Sequence, residues 1–262
     1  MNTHADTDAD TDTRQQQQPE QGRLLPQAKA LQSHLGSRSN DPFSFQKTPA
    51  GYAQRALFAT NSRLLTCLVN ENIVDAYFLE YGHTAATCCI VFVPSGTSPA
   101  SPESDHGYMV SQIRHRPVVS AEQVAGQSDV QRVRFLDPED LGALQWIRRS
   151  QSGTPALVAA PEQIMAVVGE WNSYDEDKIA AICSELASSV ENQAQAYQIH
   201  RPELDILTST AIEWEQSIIE GHATHPMHRA RYAVPPLDPI SPDADLFHLQ
   251  LTFVAVPRDE IR

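Results

Sequence analysis

The spacing of apolar residues changes between Leu57 and Val93, and that change most limits what this chain can fold into. In "GYAQRALFATNSRLLTCLVNENIV", Leu57, Leu64, Leu65, Leu68 and Val69 recur at helical intervals, which predicts a helix of about five turns. "AYFLEYGHTAATCCIVFVP" then turns to β-branched and aromatic residues. Gly82-His83 breaks it into two apolar runs, the pattern of a hairpin. Cys88-Cys89 stands in the second run. Neighbouring strand positions face opposite ways, so at least one thiol is expected in the core and the pair is not expected to share an ion.

Beyond the hairpin the periods alternate irregularly. "PSGTSPASPESDHG", residues 94–107, is Pro/Ser-rich and reads as a surface insertion with no packing role. "DVQRVRFLD" predicts a strand, after which Asp137 is placed to cap a helix that begins at Pro138 and carries Leu141, Leu144 and Ile147 on one face. "PALVAAPEQIMAVVGEW" predicts a short strand and then a helix from Pro161. Ser173 with Glu176 forms a capping-box pattern before a long helix with Ile179, Ile182, Leu186, Val190, Ala194 and Tyr197 on one face. A further helix is expected from about Glu203 to Glu220, stopping at Gly221, and "LFHLQLTFVAVP" reads as a final strand. Helices and strands do not alternate regularly enough for a doubly wound parallel sheet. The expected class is α+β, with helices and small antiparallel sheets.

The first fifty residues differ in kind. "THADTDADTDT" and "RQQQQPEQG" offer too little apolar surface to offset the entropy of ordering them, so residues 1–50 are expected to be an acidic, glutamine-rich disordered tail. No apolar run approaches the ~20 residues that span a bilayer, and the N-terminus lacks the basic-then-apolar pattern of a secretory signal. A cytoplasmic protein without a membrane partner is expected. Four cysteines form no CxxC pair and are expected to be reduced. A formal net charge of −14 argues against a nucleic-acid partner and makes any local cluster of cations informative. "RHRP", residues 114–117, with Arg132 and Arg134 could gather such a patch for citrate, although strand-edge charge is the plainer reading.

The most pointed cluster is "EGHATHPMHRARYAVPP", residues 220–236. His222, His225 and His228 stand three apart, with Glu220 before them and Arg229 and Arg231 after. Three histidines suit zinc, yet Pro226 and Gly221 interrupt any helix that would present them together, and no HExxH or cysteine pair accompanies them. A polar loop whose histidines bond backbone carbonyls is a second reading. Anion binding is a third: arginine's planar fork matches phosphate or carboxylate, and Thr224 with backbone N–H groups could complete a cradle.

This stretch resembles the signature of the siderophore synthetases of the aerobactin type, the NRPS-independent (IucA/IucC) family, which reads G-H-P-x-H-P-x-x-K-x-R-x-G. Gly221, His222, His225, Pro226 and Arg231 match it, Arg229 replaces the lysine, and Ala223 and Ala233 depart from it. "EWEQSIIEGH" is similar to the family's helix entering the motif, and "RLLTCLVNENIV" to its opening helix. The resemblance implies an enzyme that uses ATP and Mg²⁺ to adenylate a polycarboxylate such as citrate, with an amine or hydroxyl then forming an amide or ester. It implies triphosphate contacts for His225, Arg229 and Arg231, with His222 and Thr224 as secondary contacts, and assigns no catalytic residue and no protein-bound metal. It also implies residues 51–200 as a thumb-like N-terminal α+β domain and residues 201–262 as the start of the nucleotide-binding region. With about thirty residues after Arg231, the chain would lack the family's C-terminal palm. Family members are commonly dimeric, so a homodimer is among the expected assemblies. A non-catalytic module that dimerises with a full-length synthetase, and a histidine-based zinc protein, are the alternatives.

Overall fold

The computed structural model describes residues 45–80, 88–97, 107–124, 130–148, 156–199, 204–220, 225–238, 240–241, 255 and 257–258. The first helix, α1 (Pro49–Asn70), begins where Thr48 accepts a hydrogen bond from the Gly51 N–H and Pro49 supplies a preset φ. Leu64, Leu65, Leu68 and Val69 fall on its buried face, as their spacing predicts. The strands follow in the order β1 (Val74–Glu80), β2 (Cys88–Pro94), β3 (Tyr108–Ile113), β4 (Val118–Gln123), β5 (Val130–Phe135), β6 (Leu141–Arg148) and β7 (Ala156–Leu157). Then come α2 (Pro161–Asn172), α3 (Glu176–Gln198) and α4 (Ala211–Ser217).

All seven strands join one sheet in the order β4-β5-β1-β2-β3-β6-β7. Each adjacent pair is antiparallel. The expected hairpin is the central pair: Val74 lies opposite Pro94 and Glu80 opposite Cys88. One face, with Phe78, Ile90, Phe92 and Met109, packs against Leu65 and Leu68 of α1, Ile164 and Val168 of α2, and Leu186 of α3. The other face buries Tyr77, Leu79, Cys89, Val91 and Val110. Burial on both faces explains why β2 is apolar throughout rather than alternating. Cys88 and Cys89 take opposite faces, and both are buried. The architecture is α+β.

Three expectations need correction. No helix starts at Pro138. Pro138–Asp140 form a single 3-10 turn capped by Asp137, and the chain then becomes strand β6. Two neighbours, β3 and β7, supply ladder partners that helical spacing alone could not reveal. Gly142 was the overlooked signal: a Cβ there would lie 2.9 Å from Cβ of Gln112, so the close strand approach needs a glycine. Ser173 is not the N-cap of the long helix. It ends α2 in a left-handed conformation, φ 51°, and Asp175 caps α3 by accepting from the Lys178 N–H. The helix expected over 203–220 is reduced to α4. Asp205 closes a local turn onto the N–H groups of Leu207 and Thr208, and Thr210 then starts α4 in a capping box with Glu213.

The stretch 94–107 is not wholly without a packing role. Asp75 accepts from the Gly96 N–H at 2.8 Å, and the Tyr77 hydroxyl donates to the Thr97 carbonyl at 3.1 Å. The rest of that stretch (98–106), the tail through residue 44, and most of the proposed final strand lie outside the described residues. Among the described residues, no helix is long and apolar enough to cross a membrane.

Candidate functional site

The histidine-arginine stretch is held against α3 by two adjacent serines. Ser189, fully buried on α3, donates to the Pro226 carbonyl at 3.2 Å and accepts from the Arg229 N–H at 3.3 Å. Ser188 accepts from the Arg231 N–H at 3.2 Å. These bonds fix the backbone of both arginine positions to a long helix, so their Cα atoms are placed by α3 rather than by the loop itself. Inside the loop, the His228 and Ala230 N–H groups donate to the carbonyls of His225 and Met227, making tight turns. Met227 reaches back to the main core.

The arginine side chains also brace the loop. Nη2 of Arg229 donates to the Ile218 and Ile219 carbonyls just beyond α4, and the Gln193 side chain donates to the same Ile219 carbonyl. Such carbonyls at a helix end have lost their helical partners, and a cation suits them. Nη1 of Arg231 donates to the Ser241 carbonyl at 2.6 Å. His225 is exposed, and His228 is half-buried. Burial pushes the His228 imidazole down to about 4, and the nearby guanidinium groups of Arg63 and Arg229 push the same way. His228 is therefore neutral at neutral pH. His222 and Thr224 lie outside the described residues.

Glu220, which the zinc reading would have used as a ligand, is instead the centre of an ion-pair network. Its carboxylate accepts from Nη2 of Arg55 at 2.9 Å and from Nη2 of Arg63 at 3.0 Å. It also accepts from the Tyr197 hydroxyl. Burial raises the Glu220 pKa, but the Tyr197 hydrogen bond and the two arginines outweigh it, holding the carboxyl below the ordinary range. Arg55 lies over the Tyr197 ring, 4.3 Å from its centroid. The network ties α1, α3 and the entry to the loop together. Among the described residues, no three metal-ligating side chains come together.

Sequence reasoning missed Ser188, Ser189, Arg55 and Arg63. Arg63 had a legible sign: a lone cation beside Leu64 and Leu65 on the buried face of an amphipathic helix, where an unpaired charge would be costly. The serines had a weaker one, being small polar groups inside a long helix where a backbone could approach. Arg132 leaves the suggested citrate patch to pair with Asp75, and Arg116 pairs with Glu80. Both serve the sheet, as the plainer reading expected.

Comparison with known proteins gives two curated relatives. One, from Rhizopus delemar, is named NRPS-independent siderophore synthetase rfs and is 30% identical over 242 residues, covering 78% of this chain and 38% of that protein. The other, from Aspergillus thermomutatus, is named NRPS-independent siderophore synthetase-like protein ankE and is 27% identical over 218 residues, covering 80% of this chain and 34% of that protein. The chain thus spans a little over a third of the length of the relatives it matches. No protein-family profile and no solved structure matches it.

Proposed function

We propose, from the premise that this chain belongs to the NRPS-independent siderophore synthetase family, that it serves siderophore biosynthesis as the N-terminal part of an ATP-dependent ligase. In this reading a carboxylate oxygen of a polycarboxylate such as citrate attacks the α-phosphorus of ATP. Pyrophosphate leaves, and an amine or hydroxyl then takes the acyl group, releasing AMP and forming an amide or ester. The 221–231 loop lies beside the triphosphate, with His225, Arg229 and Arg231 as its principal contacts and His222 and Thr224 as secondary ones. Mg²⁺ travels with the phosphates.

The observation that supports this reading is the attachment of the two arginine positions to α3 through Ser188 and Ser189. Adenylation builds negative charge on the α-phosphate and the departing pyrophosphate. Fixed backbones keep both guanidinium groups close to that charge, and only the side chains, which brace the loop through the Ile218, Ile219 and Ser241 carbonyls, have to turn to oppose it. Arg231→Ala in the complete enzyme is expected to weaken ATP binding by roughly tenfold or more, the scale of one charge-assisted contact. Unchanged ATP affinity in a folded variant would remove the loop from this role.

A further inference from the structure

The apolar faces of α1, α2 and α3 are buried against the sheet, but the chain on either side of the histidine-arginine loop is built differently. Among the described residues, Ile206 is 85% exposed, Leu207 89%, Tyr232 80% and Leu237 71%, and Ile212 and Trp214 are exposed on α4. No residue of α4 is buried, although the helix has only 7 residues. A helix shorter than ~12 residues is marginal in water and depends on packing of its apolar side, which here stays open. Both apolar segments are moored beside the loop. Arg229 holds the chain just beyond α4 through the Ile218 and Ile219 carbonyls, and Arg231 holds the Ser241 carbonyl. An exposed apolar surface of this extent marks a contact.

Charge selects the occupant. Asp205, Glu213, Glu215 and Asp238 are exposed among these apolar residues. Arg229 and Arg231 are the only Lys or Arg residues between positions 204 and 241, and both are turned to backbone carbonyls. A second copy of the chain would set these carboxylates against their own kind, and an anionic lipid surface would meet the same repulsion. The matching partner is a polypeptide whose apolar surface is rimmed by lysine or arginine. Well over half of each curated relative lies outside the region it shares with this chain, which is length enough to supply one.

We infer that residues 206–218 and 232–240 form the docking surface for the remaining, C-terminal part of a siderophore synthetase. That part covers Leu207, Trp214, Tyr232 and Leu237 and sets basic side chains opposite Glu213 and Glu215. On the reading of this chain as the N-terminal part of such an enzyme, the remainder thus attaches around the loop, on both sides of Arg229 and Arg231.

Leu207→Cys and Leu237→Cys report on this surface through the rate of maleimide labelling, read on their own peptides. Each is placed in the 262-residue chain and in the same chain joined to the part of the Rhizopus delemar relative outside their shared region. Fast labelling is expected in the chain alone, and labelling slowed roughly tenfold or more in the joined protein. Ile212→Asp is expected to lower the thermal midpoint of the joined protein by several degrees and to leave that of the chain alone unchanged. Equal labelling rates in the two proteins would overturn the inference, as would a joined protein whose two parts unfold separately. Labelling of the chain alone that slows with rising concentration, as a dimer forms in sedimentation, would give the face to a second copy. Slowing by anionic lipid vesicles would give it to a membrane, and either result overturns the inference. ATP affinity of Arg231→Ala is an independent readout. If it is unchanged while Leu207→Cys is protected, the loop loses its phosphate role and the docking surface stands; the reverse pattern keeps the loop and removes the surface.

Discussion

At the scale of single residues, the region around Glu220 is governed by desolvation. Arg63 is almost fully buried, which is tolerable because Glu220 accepts its hydrogen bond. His228, in the same neighbourhood, responds oppositely: burial and two nearby cations keep it neutral, with its pKa pushed down to about 4 from 6.5. Because the folded-state pKa is depressed, the unfolded chain binds the proton more readily. The associated stability is complete above about pH 6.5 and is lost as pH falls towards 4. After discounting for partial exposure, the loss is of order 1–2 kcal/mol. Urea unfolding of His228→Gln is expected to show a flatter stability profile between pH 6.5 and 4 than the parent chain. An unaltered slope would mean the imidazole is not the group that titrates. At the acid end of that window Glu220 begins to contribute as well. Its pKa is also depressed, so its stabilisation is present above the ordinary carboxylate range and fades as pH drops through its folded value.

At the scale of elements, helix and sheet are joined by few but specific polar bonds. Asn70, the last residue of α1, donates from Nδ2 to the Leu136 carbonyl and accepts at Oδ1 from the Leu136 N–H, both at 3.0 Å. The side-chain amide thus acts as one rung of a ladder, fastening the helix end to the chain leaving β5. Asn70→Ala would strand both Leu136 backbone groups beside a fully buried side chain. A loss of about 2–3 kcal/mol is expected by denaturant titration, against under 1 kcal/mol for an ordinary exposed asparagine. Asn70→Asp restores one of the two bonds and is expected to fall between. The α3 serines follow the same logic towards the loop. A small hydroxyl on a helix lets a second backbone come close, and its one donor and its acceptor lone pairs satisfy the Pro226 carbonyl and the Arg229 N–H.

At the scale of the whole molecule, cooperativity should follow from a sheet buried on both faces. Cys89 is fully buried in the centre of that sheet, and burial pushes its thiol up to about 12, with Cys88 adding to the effect. No local opening exposes it without separating β1, β2 and β3. Alkylation of Cys89 along a urea series is therefore expected to track the loss of circular dichroism with the same midpoint. Labelling well before that midpoint would show that the central strands open independently. Cys67 and Cys183 are half-buried and should react earlier.

How much of this was legible depends on how local the cause was. The amphipathic helices α1, α2 and α3, the central antiparallel hairpin and the strand at Val130–Phe135 were determined by the sequence alone, because each follows from apolar periodicity or chemistry within a few residues. The family of the chain was legible for a similar reason, the resemblance being carried by residue types at fixed spacing. The tertiary structure decided what depends on distant partners. Leu141–Arg148 became a strand because β3 and β7 offer ladder bonds, although its local pattern also admits a helix. Ser173 lost its capping role to Asp175 by two positions, a choice made where α2 and α3 meet at Gly169 and Ile179. Arg55 and Arg63 became partners of Glu220 across more than 150 positions of sequence, and Ser188 and Ser189 met a loop about forty residues away. Side-chain periodicity has no term for such encounters, because desolvation and hydrogen-bond satisfaction are set only once the chain has closed on itself.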